Sequence, residues 1–457
     1  MKRLGPVSFY REVLSIALPV MLQQLIMSMV SLIDNFMVAG LGDVSMAAVN
    51  VANQVNFINI VFVNAICGAG GIYLAQYRGA NNVEGMRQAY RFKVIFSLAI
   101  SILYFVLCWT IPGLMLGLMT HGNAVQGDIL ALGINYLKLT SFTLTPMAIS
   151  MAIGSSYREI GLPKVPLYIS AAATLVNTIG NWFLIYGNLG APRLEVTGAA
   201  IATIIARVVE AAAFFIYAAR QKTPFFTGFT KLFQIPRKLI TNILSKSVML
   251  FIGDFSWISS ETIMMAIFNG RGGAEVVAGM AAGFSIANIY FLVIGGIVTA
   301  TTVIIGGSLG AGKLDEARRR AGWLKSGSLV AGLVISLAGV GVSTLIIRIV
   351  FTNLTPAAQN IGLGMVFVIL AYLPFWCLLN SLFAISRAGG DTAMCLYADA
   401  TVNLLILTPC AFLLAVFTPL QPVAMFAIIK ISDVVKYIIA RHFLNKERWV
   451  RNLTMGN

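Results

Sequence analysis

An all-α polytopic membrane protein is predicted: twelve transmembrane helices in two six-helix lobes, related by a pseudo-twofold axis along the membrane normal around a central cleft. Three observations carry this. Of 457 residues, 58% are hydrophobic and only 11% charged. Twelve apolar runs are each long enough to cross a bilayer. Short motifs of the first half return in the second.

The composition comes first. A soluble domain carries about 25% charged residues, because polar groups must cover much of its surface in water. Here the charge deficit goes with a mean hydropathy of +0.85, which lipid explains and water does not.

The runs come next. A spanning helix needs about 20 mostly apolar residues. Such runs lie near 13–40, 46–75, 93–117, 129–155, 165–187 and 196–219, then near 247–270, 276–307, 324–350, 361–385, 393–416 and 423–443. The first is too long for the apolar core of a cleavable leader and reads as a helix. The intervening segment 220–246 is basic and holds Pro224 and Pro236. It divides the chain into an N-lobe (1–222), a cytoplasmic linker (223–246) and a C-lobe (247–457).

Charge fixes the expected orientation. One set of loops receives Lys2, Arg3 and Arg11; Arg78, Arg87, Arg91 and Lys93; Arg158 and Lys164; the basic residues of 220–246; Lys313, Arg318, Arg319, Arg320 and Lys325; and Arg441, Lys446, Arg448 and Arg451. The other set holds Arg193, Arg271 and Arg348. Basic loops stay cytoplasmic, so both termini are expected in the cytoplasm of a bacterial cell, with the chain in the cytoplasmic (inner) membrane. The net charge of +15 then reflects topology, and nucleic acid is not an expected partner.

The halves repeat. AQYRGANNVEGMRQAYR (75–91) matches GGSLGAGKLDEARRRAG (306–322), and SSYREIGLPKVPLY (155–168) matches AISRAGGDTAMCLY (384–397). Arg158 pairs with Arg387 and Gly161 with Gly390. Six helices per repeat is an even number, so the halves share an orientation.

Two enzyme signals fail. GSLGAGK (307–313) nearly spells a phosphate-binding loop, but Leu314 stands where that motif needs Ser or Thr, and an apolar run precedes it instead of a core strand. It reads as a helix-ending turn. The five cysteines (Cys67, Cys108, Cys377, Cys395 and Cys410) sit in apolar runs without a C-x-x-C pair, and His121 and His442 cannot build a zinc site alone. No enzyme is expected.

Ionisable groups at membrane depth are the sharpest clue, since each costs several kcal/mol unless it faces protein or water. Asp34 lies in the first helix and reads as a proton or Na+ site. Glu261 lies in the seventh, the corresponding first helix of the second half, about one turn from the counterpart of Asp34 and beside Ser259 and Ser260. Asp399 lies in the eleventh, four residues before Asn403. Asn177 and Asn181 share a face of the fifth helix, and Thr203 sits in the sixth. Such amides and hydroxyls either ligate a cation and hold a carboxylate, or bond helices together. Lys430, Asp433 and Lys436 read as a self-neutralised set, and Arg207 with Glu210 as a similar pair.

IALPVMLQQL and IDNFMVAGLG, AQYRGANN, YREIGLPKVP, NTIGNWFLIYGNLGAPRLEVTGAAIAT, AISRAGGDT and the closing KERWVRNLT together resemble the multidrug and toxic compound extrusion (MATE) family over nearly the whole chain. The resemblance implies export of small organic cations driven by entry of H+ or Na+, with no cofactor. It implies two lobes forming a V-shaped cleft, with membrane lipids around a monomer. Asp34, the Asn177–Asn181 pair and Glu261 match family positions. One branch has Asp where Asn181 stands. A tenth-helix Asp of another branch falls near Trp376 here, which leaves the C-lobe Na+ site incomplete unless Asp399 substitutes. Na+ is therefore expected at Asp34 or at Glu261, if Na+ is the coupling ion. The rival within the same superfamily is a flippase for lipids or lipid-linked oligosaccharides, which needs a cationic cleft for its pyrophosphate.

Overall fold

The computed structural model describes residues 4–120, 126–228 and 231–455; His121 lies outside them. The regular structure of the described residues is helical. In chain order the helices are α1 (Val7–Ala39), α2 (Asp43–Gly79), α3 (Val83–Thr110), α4 (Pro112–Thr120), α5 (Gln126–Thr140), α6 (Leu144–Glu159), α7 (Lys164–Tyr186), α8 (Glu195–Arg220), α9 (Arg237–Gly270), α10 (Ala274–Gly310), α11 (Leu314–Val350) and α12 (Pro356–Ala388). Then follow α13 (Ala393–Phe417), α14 (Pro422–Ile429) and α15 (Asp433–Asn445).

Among the described residues ten helices are long and apolar enough to cross a membrane: α1–α3 and α7–α13. The other two predicted spans are interrupted. A 3-10 turn, Ser141–Thr143, separates α5 from α6, and another, Lys430–Ser432, separates α14 from α15. Each of the twelve predicted runs is thus helical, and the chain is a multi-pass membrane protein. The basic stretches after α2 and α10 are the opening turns of α3 and α11.

The repeat is visible in the backbone. Asn81 (φ 52°) and Gly312 (φ 74°) take the left-handed conformation at matching places, between α2 and α3 and between α10 and α11. Gly161 (φ 81°) and Gly390 (φ 78°) do so after α6 and α12. These are helix-ending turns in which glycine or asparagine tolerates positive φ. The near-miss phosphate loop is one of them, since α10 ends at Gly310 and Lys313 precedes α11.

The chain divides into two compact units. The first comprises Leu22–Leu74 and Asn82–Ser247; the second comprises Met1–Met21, Ala75–Asn81 and Val248–Asn457. The start of α1 and the last turns of α2 therefore belong with the second unit. Within it, the ends of α2 and α10 touch backbone to backbone. A Cβ on Gly310 would lie 1.8 Å from the Gln76 carbonyl oxygen, and one on Gly79 would lie 2.1 Å from that of Gly307. Gln76 Nε2 donates to the Ala388 carbonyl (2.8 Å), and Gln76 Oε1 accepts from the Leu453 amide (2.8 Å). Arg451 donates to the carbonyls of Gly389 (3.0 Å) and Gly390 (2.9 Å), and Asn452 to that of Gly310 (3.0 Å). The C-terminal segment thereby satisfies carbonyls that helix ends leave without partners.

In the first unit Lys93 on α3 is fully buried. Its Nζ lies 2.7 Å from Glu159 Oε2 and 3.0 Å from Ser156 Oγ on α6. Gly70 and Gly71 on α2 make the room, since a Cβ there would lie 2.4 Å from Lys93 Cγ and 2.1 Å from Glu159 Oε1.

Two stability outcomes are expected in thermal melts of the detergent-solubilised protein. Gly310→Ala forces α10 away from α2 and costs roughly 1–3 kcal/mol, whereas Gly341→Ala, which meets open space, loses nothing; equal melting temperatures for both would refute the close crossing. Glu159→Ala strands a buried ammonium and costs about 3–5 kcal/mol. The double variant with Lys93→Met should recover much of that loss, and no recovery would show that the two groups are uncoupled.

Candidate functional site

The first unit gathers four of the residues singled out in the sequence. Asp34 stands within the last two turns of α1. Asn177 and Asn181 project one turn apart from α7, and both are buried. Thr203 comes from α8. Small residues let α7 and α8 approach: a Cβ on Gly198 would lie 2.3 Å from the Leu184 carbonyl oxygen, and one on Gly180 would lie 3.1 Å from Ala202 Cβ. This close packing brings Thr203 to Asn177.

Asn181 Nδ2 donates to Asp34 Oδ1 at 2.7 Å. With the Asn177 amide turned to suit both neighbours, its Nδ2 donates to Asp34 Oδ1 (3.2 Å) and Oδ2 (2.9 Å), and its Oδ1 accepts from Thr203 Oγ1 (3.2 Å). Thr203 Oγ1 also lies 2.8 Å from the Ala199 carbonyl. Asn181 Oδ1 is buried and has no hydrogen-bond partner. Asp34, Asn177 and Thr203 border a cavity of about 160 Å³, which Ser31, Thr174 and Arg207 also line.

Arg207 is the residue that sequence reasoning left out of this site. Its spacing from Glu210 is that of a helical pair, and the pair forms at 2.8 Å. Arg207 also lines the Asp34 cavity. Behind it runs a buried chain: Ser170 Oγ donates to Glu210 Oε1 (2.8 Å) and accepts from Gln23 Nε2 (2.9 Å). Glu210 thus neutralises Arg207 beside the carboxylate that would otherwise claim it.

The remaining two site residues lie in the second unit and pair with different lysines. Glu261 on α9 is ion-paired with Lys430. Asp399 on α13 lies 3.7 Å from Lys436 Nζ. The expected self-neutralised set is therefore wrong in one member. Lys436 does reach Asp433, at 3.2 Å, but Lys430 pairs with Glu261 on α9 instead. Trp376, where a family carboxylate was sought, donates from Nε1 to Asp433 Oδ2 at 2.8 Å. In α13 Asp399 and Asn403 fall in two π-helical stretches, Leu396–Ala400 and Asn403–Leu407.

The two units thus present different chemistry. In the first a carboxylate is held by neutral amides, and two oxygen ligands stand close by. In the second each carboxylate named here already faces a lysine.

Comparisons with known proteins bear on both units. The family model for MatE matches residues 19–183 and 251–417, one stretch in each half. The chain is 25% identical over 336 residues to a probable multidrug resistance protein NorM of Neisseria meningitidis serogroup A, covering 72% of this chain and 70% of that protein. It is 25% identical over 422 residues to the protein of the same description in Photorhabdus laumondii, covering 89% and 87%. The fold is similar to the crystal structure of a mutant of the Vibrio cholerae MATE transporter VcmN, with a TM-score of 0.83 at 17% identity over 97% of this chain and 99% of that one. It is also similar to a MOP superfamily transporter from Pyrococcus furiosus, described as having a binding pocket of reverse polarity, with a TM-score of 0.78 at 18% identity over 95% of each. Twelve helical spans, a repeat marked by paired left-handed turns and a family match in both halves lead to one statement: the chain belongs to the MatE family of membrane transporters.

Proposed function

We propose that the protein is an antiporter that exports small organic cations, drugs among them, in exchange for H+ or Na+ by alternating access. The observation that carries this reading is Asp34, held by the amides of Asn181 and Asn177 against a cavity of about 160 Å³. A carboxylate so placed attracts a cationic cargo, and an inorganic cation on it removes that attraction. Each ligand then lowers the affinity for the other, and the coupling is reciprocal. The exchange moves the protein between states only as far as each cation prefers one of them.

Both coupling ions have a chemical route. A proton needs Asp34 alone. Na+ is a hard cation that takes oxygen ligands, and Asp34, Thr203 Oγ1 and the amide oxygens of Asn177 and Asn181 supply them after the amides turn. The unpartnered Asn181 Oδ1 favours this second route. Glu261 suits Na+ less, because Lys430 already neutralises it. The names of the relatives in Neisseria and Photorhabdus support drugs as cargo. The basic loops support a bacterial cytoplasmic membrane with both termini in the cytoplasm, and the protein acts as a monomer in this reading.

Arg207 on the cavity wall favours a second reading, a flippase for an anionic lipid, and the reverse pocket polarity described for the Pyrococcus protein points the same way. Its pairing with Glu210 at 2.8 Å leaves little positive charge for a pyrophosphate, so this reading stands second.

Asp34→Asn should abolish ethidium efflux from cells while the protein stays folded in the membrane; efflux at the wild-type rate would remove Asp34 from the mechanism. In proteoliposomes, release of bound dye should follow an imposed Na+ gradient or an imposed pH gradient. Dye movement indifferent to both, together with translocation of a fluorescent anionic lipid, would replace the antiporter with the flippase.

A further inference from the structure

Lys430 is 6% exposed and sits in the 3-10 turn that divides α14 from α15. Its ammonium is surrounded on three sides. Glu261 of α9 pairs with it. Lys430 Nζ lies 5.8 Å from the ring of Trp376 on α12 and 5.1 Å from that of Phe426 on α14.

These walls are fixed independently of the lysine. The Trp376 indole donates to Asp433 and stacks on Tyr372, with ring centres 5.8 Å apart. Phe426 meets Phe284 edge-on at 5.9 Å and Phe268 at 6.4 Å. A carboxylate opposed by preformed aromatic faces is the arrangement by which proteins hold ammonium ligands.

A second observation points to polar atoms at the same place. Asn403 has no exposed surface, and neither its Nδ2 nor its Oδ1 has a hydrogen-bond partner. The π-helical stretch that carries it packs against the turn Lys430–Ser432. Its carbonyl accepts from Ser260, the neighbour of Glu261, at 3.2 Å. Buried amides are normally bonded, so this one leaves a donor and an acceptor unmet on the stretch that packs against the turn. Support alone would not call for such a pair, since apolar residues of similar volume often serve as well as a buried ion pair.

We propose that Glu261, Trp376 and Phe426 form a binding site for primary alkylammonium groups, and that Lys430 is its tethered occupant. A cargo that carries such a group competes with the lysine for the same carboxylate and the same rings. While Lys430 is seated, Glu261 takes no free cation, and the second unit works without one. The assignment rests on the geometry of the second unit alone and stands apart from the role given to Asp34.

Chemical rescue of the full-length purified protein tests it. Lys430→Ala removes the tethered ammonium and opens space for n-butylammonium, the probe. Thermal melts of Lys430→Ala should shift upward with n-butylammonium, with an apparent affinity at least about ten-fold tighter than in the unsubstituted protein. Sodium butyrate should give no shift. Adding Glu261→Gln should abolish the response, and adding Trp376→Leu should weaken it severalfold. Folded Lys430→Ala that ignores n-butylammonium would overturn the proposal. So would an equal shift in the Lys430→Ala/Glu261→Gln variant. If Lys430→Ala does not fold, Lys430→Gln is read by the same titration and the same two outcomes decide. Neither result bears on dye efflux by Asp34→Asn, so the two readings fail separately.

Discussion

Hydrocarbon leaves no water to bond a backbone, so each amide and carbonyl at membrane depth must be satisfied by the chain itself. The architecture follows from that requirement. Helices are continuous wherever they have nothing but apolar side chains to present. Three departures from α-helical geometry lie beside polar side chains. The turn Lys430–Ser432 and the π-helical stretches around Asp399 and Asn403 all fall in the second unit, and each lies beside a charged or amide side chain. At the ends of α10 and α12 the same requirement is met from outside the helix, by Arg451 and Asn452.

Charge obeys a parallel rule. A buried ion is tolerated when the chain provides its counterpart. Lys93 has Glu159, Arg207 has Glu210, Lys430 has Glu261, and Lys436 has Asp433 with Asp399. Asp34 departs from this scheme. Its hydrogen bonds come from neutral amides, so nothing fixed cancels its charge through direct contact.

Much of this was legible in the sequence because it depends on local spacing. The twelve runs required only length and apolarity. The paired turns at Asn81 and Gly312, and at Gly161 and Gly390, were readable because glycine and asparagine are the residues that positive φ favours. Asn177 and Asn181 were readable as one face because α7 is regular. The pairing of Lys430 with Glu261 was not, since 169 residues separate them and the nearer Asp433 offered a simpler partner. The π-helical stretches of α13 around Asp399 and Asn403 were not legible either, since spacing arguments assume 3.6 residues per turn. Arg207 was recognised as half of a pair, but which wall it faces depends on how α7 and α8 pack.

The membership of the second unit has a consequence for synthesis. Met1–Met21 and Ala75–Asn81 emerge first from the ribosome, yet they pack with Val248–Asn457. Gln76 must wait for Leu453, whose amide it accepts, 377 residues later in the chain. The early segments must therefore remain in the bilayer without their final neighbours for most of translation. The membrane-insertion machinery, or lipid itself, has to shield them in the interval, and the unit can close only once the segment around Leu453 has been made.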